Sequence, residues 1–90
     1  MDPRDNVADA IRRAVHSGQE DLQQLCAALL DTKSQLEQAT LVLQAVTRAS
    51  ASEAPGRALI NLQKAQDEID QALNSIHASS TAAEQWAAHL

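Results

Sequence analysis

Few side chains in this sequence are of the types that carry out chemistry. The chain has three His residues, a single Cys at position 26, and a short acidic run of Asp67, Glu68 and Asp70. A nucleophilic Cys needs a His or a cation beside it to lower its pKa, and a zinc site needs three or four ligands. Whether these groups can act together depends on the elements that position them.

The first half of the chain has the apolar pattern of a long helix. Apolar residues recur at alternating spacings of three and four, at Leu22, Leu25, Leu29, Leu36, Leu43 and Val46, with Thr32 and Ala39 in the two gaps. This is the heptad seam of a coiled coil, and it continues back through Ala8, Ile11, Val15 and Gly18 without a change of phase. The pattern predicts one helix over about 3–48, with a break at Gly18 as the alternative.

A second seam follows one turn. Residues 49–55 are small, polar and rich in helix breakers, which indicates a turn. Beyond it the seam positions are Ala58, Leu62, Ala65, Ile69, Ala72, Ile76, Ser79, Ala83, Trp86 and Leu90. They predict a second helix over about 56–90, with a kink or restart near Ser80 left open.

Two long helices joined by a short connection predict an all-α antiparallel hairpin that resembles a coiled coil and forms a single domain, 1–90. With the turn near Glu53, facing residues have numbers that sum to about 106. In this register Cys26 faces serines. His16 and His89 meet at the open end, where they offer a metal ion only two ligands. The acidic run spreads around the helix. The sequence therefore predicts no catalytic, cofactor or metal site, and the protein is not expected to be an enzyme.

Several large apolar residues lie off the two seams. They are Leu30, Leu41, Val42, Leu59, Ile60 and Leu73. A two-helix hairpin buries little surface and needs additional stabilisation. One interpretation is that these residues only widen the stripe that faces the other helix. The other is that they form a surface for a second copy, completing a four-helix bundle, or for a helical partner.

Composition and charge exclude several other classes of function. The net charge is −5, and the five Arg and two Lys are dispersed, so a nucleic-acid partner is not expected. No apolar run approaches the length of a membrane span. The N-terminus lacks the basic start and apolar centre of a signal peptide. We therefore expect a cytoplasmic protein, or one exported by a signal-less route.

The long Ala/Gln/Leu-rich helix, the Ser/Pro/Gly turn and the ending Trp86-Ala87-Ala88-His89-Leu90 carry a resemblance to a known group. The chain resembles helical hairpins of actinobacteria that form the N-terminal modules of polymorphic toxins. More loosely, it is similar to the small hairpins exported by type VII secretion. It differs in having Ala54-Pro55-Gly56 where those hairpins have Trp-x-Gly, and in lacking a Tyr-x-x-x-Asp/Glu export signal.

The resemblance implies a hairpin fold and a role in protein–protein interaction within a secretion or toxin system, and it implies no site residues. The predicted function is a non-enzymatic interaction module with no cofactor. The alternative is a small cytosolic regulatory or adaptor protein with the same fold.

Overall fold

The computed structural model describes residues 3–90, with side chains from residue 6 onward. Two helices, α1 (Pro3–Ala49) and α2 (Ala54–Ala88), pack against each other, and this part of the chain contains no strand. The predicted all-α antiparallel hairpin is therefore confirmed. Helix α1 ends one residue beyond the predicted boundary, and α2 begins and ends two residues before its predicted boundaries.

Both helices are continuous where the sequence left a break open. Helix α1 runs through Gly18, and α2 runs through Ser79 and Ser80. Gly18 has no positive φ angle, so its backbone is that of an ordinary helical residue. A single Gly costs about 1 kcal/mol of helix propensity relative to Ala, which a 47-residue helix supported along much of its length by α2 can absorb.

The bend between the helices is closed by serine side chains. The Ser50 hydroxyl accepts a hydrogen bond from the N–H of Ser52 at 3.1 Å, and the Ser52 hydroxyl accepts one from the N–H of Ala54 at 3.2 Å. Pro55, in the first turn of α2, has no N–H to satisfy. The Ser52 hydroxyl and Pro55 therefore lower the number of unpaired N–H groups in the first turn of α2. The chain reverses direction within four residues.

The molecule is a thin rod measuring 74 × 15 × 13 Å. Helix α1 has 47 residues and α2 has 35, so the N-terminal part of α1 extends past the end of α2 by about 18 Å. No residue from 6 to 90 is buried, and the accessible surface is 6601 Å². A compact monomer of this mass would expose about 5,100 Å², so the isolated hairpin has a contact seam but no enclosed core.

The contact seam follows a heptad pattern in both helices. We label as position a the half-buried residues shared with the predicted seam, which are Leu22, Leu29, Leu36 and Leu43 in α1 and Leu62, Ile69 and Ile76 in α2. The second half-buried position is e, occupied by Cys26, Lys33, Thr40 and Thr47 in α1 and by Leu59, Gln66, Leu73, Ser80 and Ala87 in α2. The hairpin therefore packs through positions a and e.

The prediction was wrong about the other half of the seam. It placed Leu25, Val46 and Trp86 between the helices, at position d, but these side chains are 47%, 44% and 55% exposed. The helices are rotated so that position e, one residue later, faces the partner helix. Among the described d residues, the half-buried ones are Ile11 of α1 and Ala58, Ala65 and Ala72 of α2.

Candidate interaction surface

The rotation of the helices gives the hairpin two different sides. In a heptad, position d lies about 50° to one side of a around the helix axis, and e lies about 50° to the other. Because the helices run antiparallel, the d positions of both project to one side of the hairpin, and the b positions of both project to the other. An open depression confirms this geometry, since it is lined by Gln23 and Leu30 of α1 and His77 of α2, all at position b.

One side, which we call the apolar flank, comprises positions d and g of both helices. Its apolar and small members are Val7, Ile11, Ala14, Gly18, Leu25, Ala28, Ala39, Val42, Val46 and Ala49 of α1, and Ala58, Ala65, Ala72, Ala82 and Trp86 of α2. Polar residues such as Asp21 and Glu68 interrupt it. Leu25, Val42, Val46 and Trp86 are all exposed, Val42 by 64%. An exposed apolar face of this kind is a candidate interaction site.

Gly18 and Trp86 both lie on the apolar flank near the open end. With both residues on the inward seams and facing numbers that sum to about 106, the sequence predicts that the indole fills the gap at Gly18, and this prediction is wrong within one chain. A Cβ atom added at Gly18 would meet no heavy atom within 4 Å. The indole, more than half exposed, therefore does not cover the glycine within one chain. Both the gap at Gly18 and the large side chain of Trp86 remain free for another molecule.

The other side, the polar flank, comprises positions b and f of both helices. Its rim carries a pair of opposite charges that joins the helices, because Lys33 Nζ donates to Asp70 Oδ1 at 2.6 Å. That hydrogen bond is the main cause of a raised pKa at Lys33, and the negative charges of Asp70, Glu37 and Asp67 add to it while desolvation opposes it. Of the other two residues of the acidic run, Asp67 lies on the same flank at position f, and Glu68 lies on the apolar flank at position g.

Two further hydrogen bonds join the helices at position e. Gln66 Nε2 donates to Thr40 Oγ1 at 2.8 Å, and Gln19 Nε2 donates to the carbonyl oxygen of Ser80 at 3.3 Å. The residue numbers of these pairs sum to 106 near the bend and to 99 near the open end. Polar groups at specific heights thus fix how far one helix can slide along the other.

Cys26 lies in the open depression on the polar flank together with Ile76, His77 and Ser80. The sequence placed serines opposite Cys26 but missed His77, which reaches the depression from position b. Cys26 is half-buried. Within the described part of the chain no hydrogen bond joins the Cys26 thiol to His77, so the two residues are neighbours rather than an activated pair.

The six residues predicted as a partner surface are not brought together. Only Val42 belongs to the apolar flank. Leu30, Leu41 and Ile60 lie apart on the polar flank, where each is more than half exposed. Leu59 and Leu73 are half-buried at position e, against α1. The predicted set thus mixes residues of both flanks with residues of the hairpin seam.

The remaining titratable side chains lie at separate places. His16 Nε2 lies 3.2 Å from Glu20 Oε1 along its own helix, and His89 caps the end of α2. Among residues with described side chains, no three His, Cys, Asp or Glu residues group closely enough to hold a metal ion. Over the described helices, no segment is both long and apolar enough to cross a membrane.

No family model matches the chain, and neither a curated protein nor a solved structure is detectably similar to it.

Proposed function

We propose that this chain is a non-enzymatic protein–protein interaction module whose apolar flank binds a second copy, forming a four-helix bundle. The observation that carries the proposal is that Leu25, Val42, Val46 and Trp86 are exposed on one side of a hairpin in which no described residue is buried. A helix in a bundle has two neighbours and buries three heptad positions or more. The hairpin occupies a and e, which leaves d and g for the second neighbour.

The size of the apolar flank suits a second copy. Where α2 lies beside α1, the hairpin is about 52 Å long, and its width is 15 Å. This face would bury about 800 Å² per copy, which is the usual area per partner in a stable complex. Apart from Trp86, the larger apolar residues of this face all lie on α1, and its apolar members on α2 are all alanines. The α1 half of the face is therefore complementary to the α2 half of a second copy. These features favour a second copy over an unrelated helical partner.

Two adjacent residues of α1 provide a matched test. Val42 and Leu41 are 64% and 66% exposed, but Val42 is on the apolar flank and Leu41 is on the polar flank. In a dimer, Val42→Glu removes two buried apolar side chains, each worth roughly 1.5–3 kcal/mol. We expect it to raise the dimer dissociation constant at least about 100-fold, whereas Leu41→Glu leaves the constant unchanged.

Sedimentation equilibrium of the parent and both variants over a wide concentration range measures this difference. A parent that remains a folded monomer at millimolar concentration would exclude self-association. Equal weakening by both substitutions would show that the apolar flank is not the contact surface.

The biological setting we propose is a bacterial secretion or toxin system, and its support is the resemblance of the hairpin and of its Trp86–Leu90 ending. A cytosolic adaptor with the same dimer is the alternative. Culture filtrate and cell lysate of the native host, probed for the untagged chain during growth, separate the two settings. Accumulation in the filtrate without cell lysis supports the first, and strict retention in the cells supports the second.

A further inference from the structure

We infer that the two hairpins of the dimer pair with their bends at the same end, so that α1 of each copy lies over α2 of the other and Trp86 of each copy covers the gap at Gly18 of the other. This inference depends on the proposed self-association through the apolar flank. It adds the orientation of the second copy and the contact that closes the open end.

Symmetry limits the ways in which two identical flanks can meet. If the two-fold axis runs along the rod, the bends lie together and α1 faces α2 of the other copy. If the axis crosses the rod, the bends lie at opposite ends and each helix faces its own counterpart. Rotation about the long axis leaves every residue at its own height. Residues that face each other between copies are then those already level within one hairpin.

Those heights match large residues with small ones along much of the apolar flank. The hydrogen-bonded pairs Thr40–Gln66 and Gln19–Ser80 fix the heights. By this scale, to within two residues, Val42 is level with Ala65, Val46 with Ala58, and Leu25 with Ser75. The Cα atom of Trp86 is level with about residue 13, roughly 7 Å from the height of Gly18. Because a helical side chain leans towards the N-terminus of its helix, the indole extends from that height towards Gly18. Large side chains opposite small ones keep two helices at a uniform distance. This match requires no sliding of one copy along the other.

Distance measurement between the two bends tests the orientation. Cys26→Ser removes the native thiol, and Ala51→Cys provides an exposed site in the bend for a nitroxide label. Packed helices lie about 8–10 Å apart, so double electron–electron resonance of the dimer should give a label separation below about 30 Å. Opposite orientation would separate the bends by most of the 74 Å rod.

The outcomes of this measurement separate the two proposals. A short distance in a species of dimer mass supports the inference. A long distance in a dimer overturns the orientation and leaves the proposed function standing. A monomer at all concentrations overturns both.

A substitution at Gly18 tests the contact itself. Within one hairpin, a Cβ atom added at Gly18 or at Gly56 would meet no heavy atom within 4 Å. The two sites differ in that Gly18 is on the apolar flank and Gly56 is on the polar flank. Gly18→Leu should raise the dimer dissociation constant about tenfold or more through overpacking against the indole. Gly56→Leu should leave it unchanged, and circular dichroism verifies that both variants are helical.

Trp86→Ala makes the Gly18 experiment specific. If the indole covers Gly18 across the dimer, the effect of Gly18→Leu on the dissociation constant should largely disappear in the Trp86→Ala background. An unchanged effect in that background, or no effect of Gly18→Leu on the parent, would overturn the contact.

Discussion

The two flanks of the hairpin differ in what they do for a single chain. At the rim of the polar flank, Lys33, Gln66 and Gln19 donate the hydrogen bonds that join α1 to α2. The apolar flank has no such hydrogen bond among the described residues, and its large side chains are exposed. The hydrogen bonds at the rim of the polar flank align the two helices, whereas the apolar flank offers apolar area for contact. The two roles therefore lie on opposite sides of one thin rod.

The largest expected effect concerns the dependence of stability on concentration. If the apolar flank is covered only in the dimer, a 100-fold increase in chain concentration should stabilise the folded dimer by about 2.7 kcal/mol per mole of dimer. The midpoint of thermal unfolding should then rise by about 5–10 °C. Circular dichroism melts over that range measure the shift. Val42→Glu should abolish it and Leu41→Glu should preserve it, and a midpoint independent of concentration in the parent would contradict the comparison.

A smaller effect is expected when one hydrogen bond at the polar rim is removed. Gln66→Ala deletes the bond to Thr40 and should lower the free energy of unfolding by about 1 kcal/mol. The substitution lies on the far side of the seam from the apolar flank, so the dimer dissociation constant should not change. Gln71→Ala, at an exposed position of the same helix, is the control. Chemical denaturation gives the free energy of unfolding. A loss of dimerisation in Gln66→Ala would contradict the separate roles of the two flanks.

The smallest effect concerns alkaline pH. The bond to Asp70 raises the pKa of Lys33 above its ordinary value of 10.5, so the protonated ammonium stabilises the folded state. This contribution is fully present below about pH 10.5 and is lost as the pH rises through the higher pKa of the folded state. Lys33→Gln should flatten the fall in stability above that pH, whereas Lys64→Gln should retain it. Denaturation curves at several alkaline pH values provide the measurement.

The architecture could be predicted from sequence because its signals are redundant. Two seams kept their phase over many heptads, and breakers such as Pro55 and Gly56 were concentrated in and just beyond the bend. The rotation of the helices could not be predicted. Position e of α1 is occupied by residues such as Lys33 and Thr40, so hydrophobicity alone selects position d. The structure instead places those polar groups where they bond to Asp70 and Gln66, and it leaves the more apolar position on the flank.

The candidate surface was predicted only in part for the same reason. A linear pattern identifies apolar residues that lie off a seam, but it does not say which neighbour each one faces. Val42 and Leu41 were grouped together, although they lie on different flanks. Leu25 and Trp86 were assigned to the seam, although they are exposed. The apolar residues at position g lie on the same side of the helix as those at position d. That shared side was the signal in the sequence from which the apolar flank could have been predicted.

The four-residue bend between α1 and α2 also determines the order in which the hairpin assembles. Residues joined across the helices are 26 apart in sequence for Thr40 and Gln66, and 61 apart for Gln19 and Ser80. Closing a longer loop costs more chain entropy, so contacts nearest the bend form first and pairing proceeds towards the open end, as in a zipper. The open end, where Gly18 and Trp86 lie, is therefore the last part to form and the first to separate.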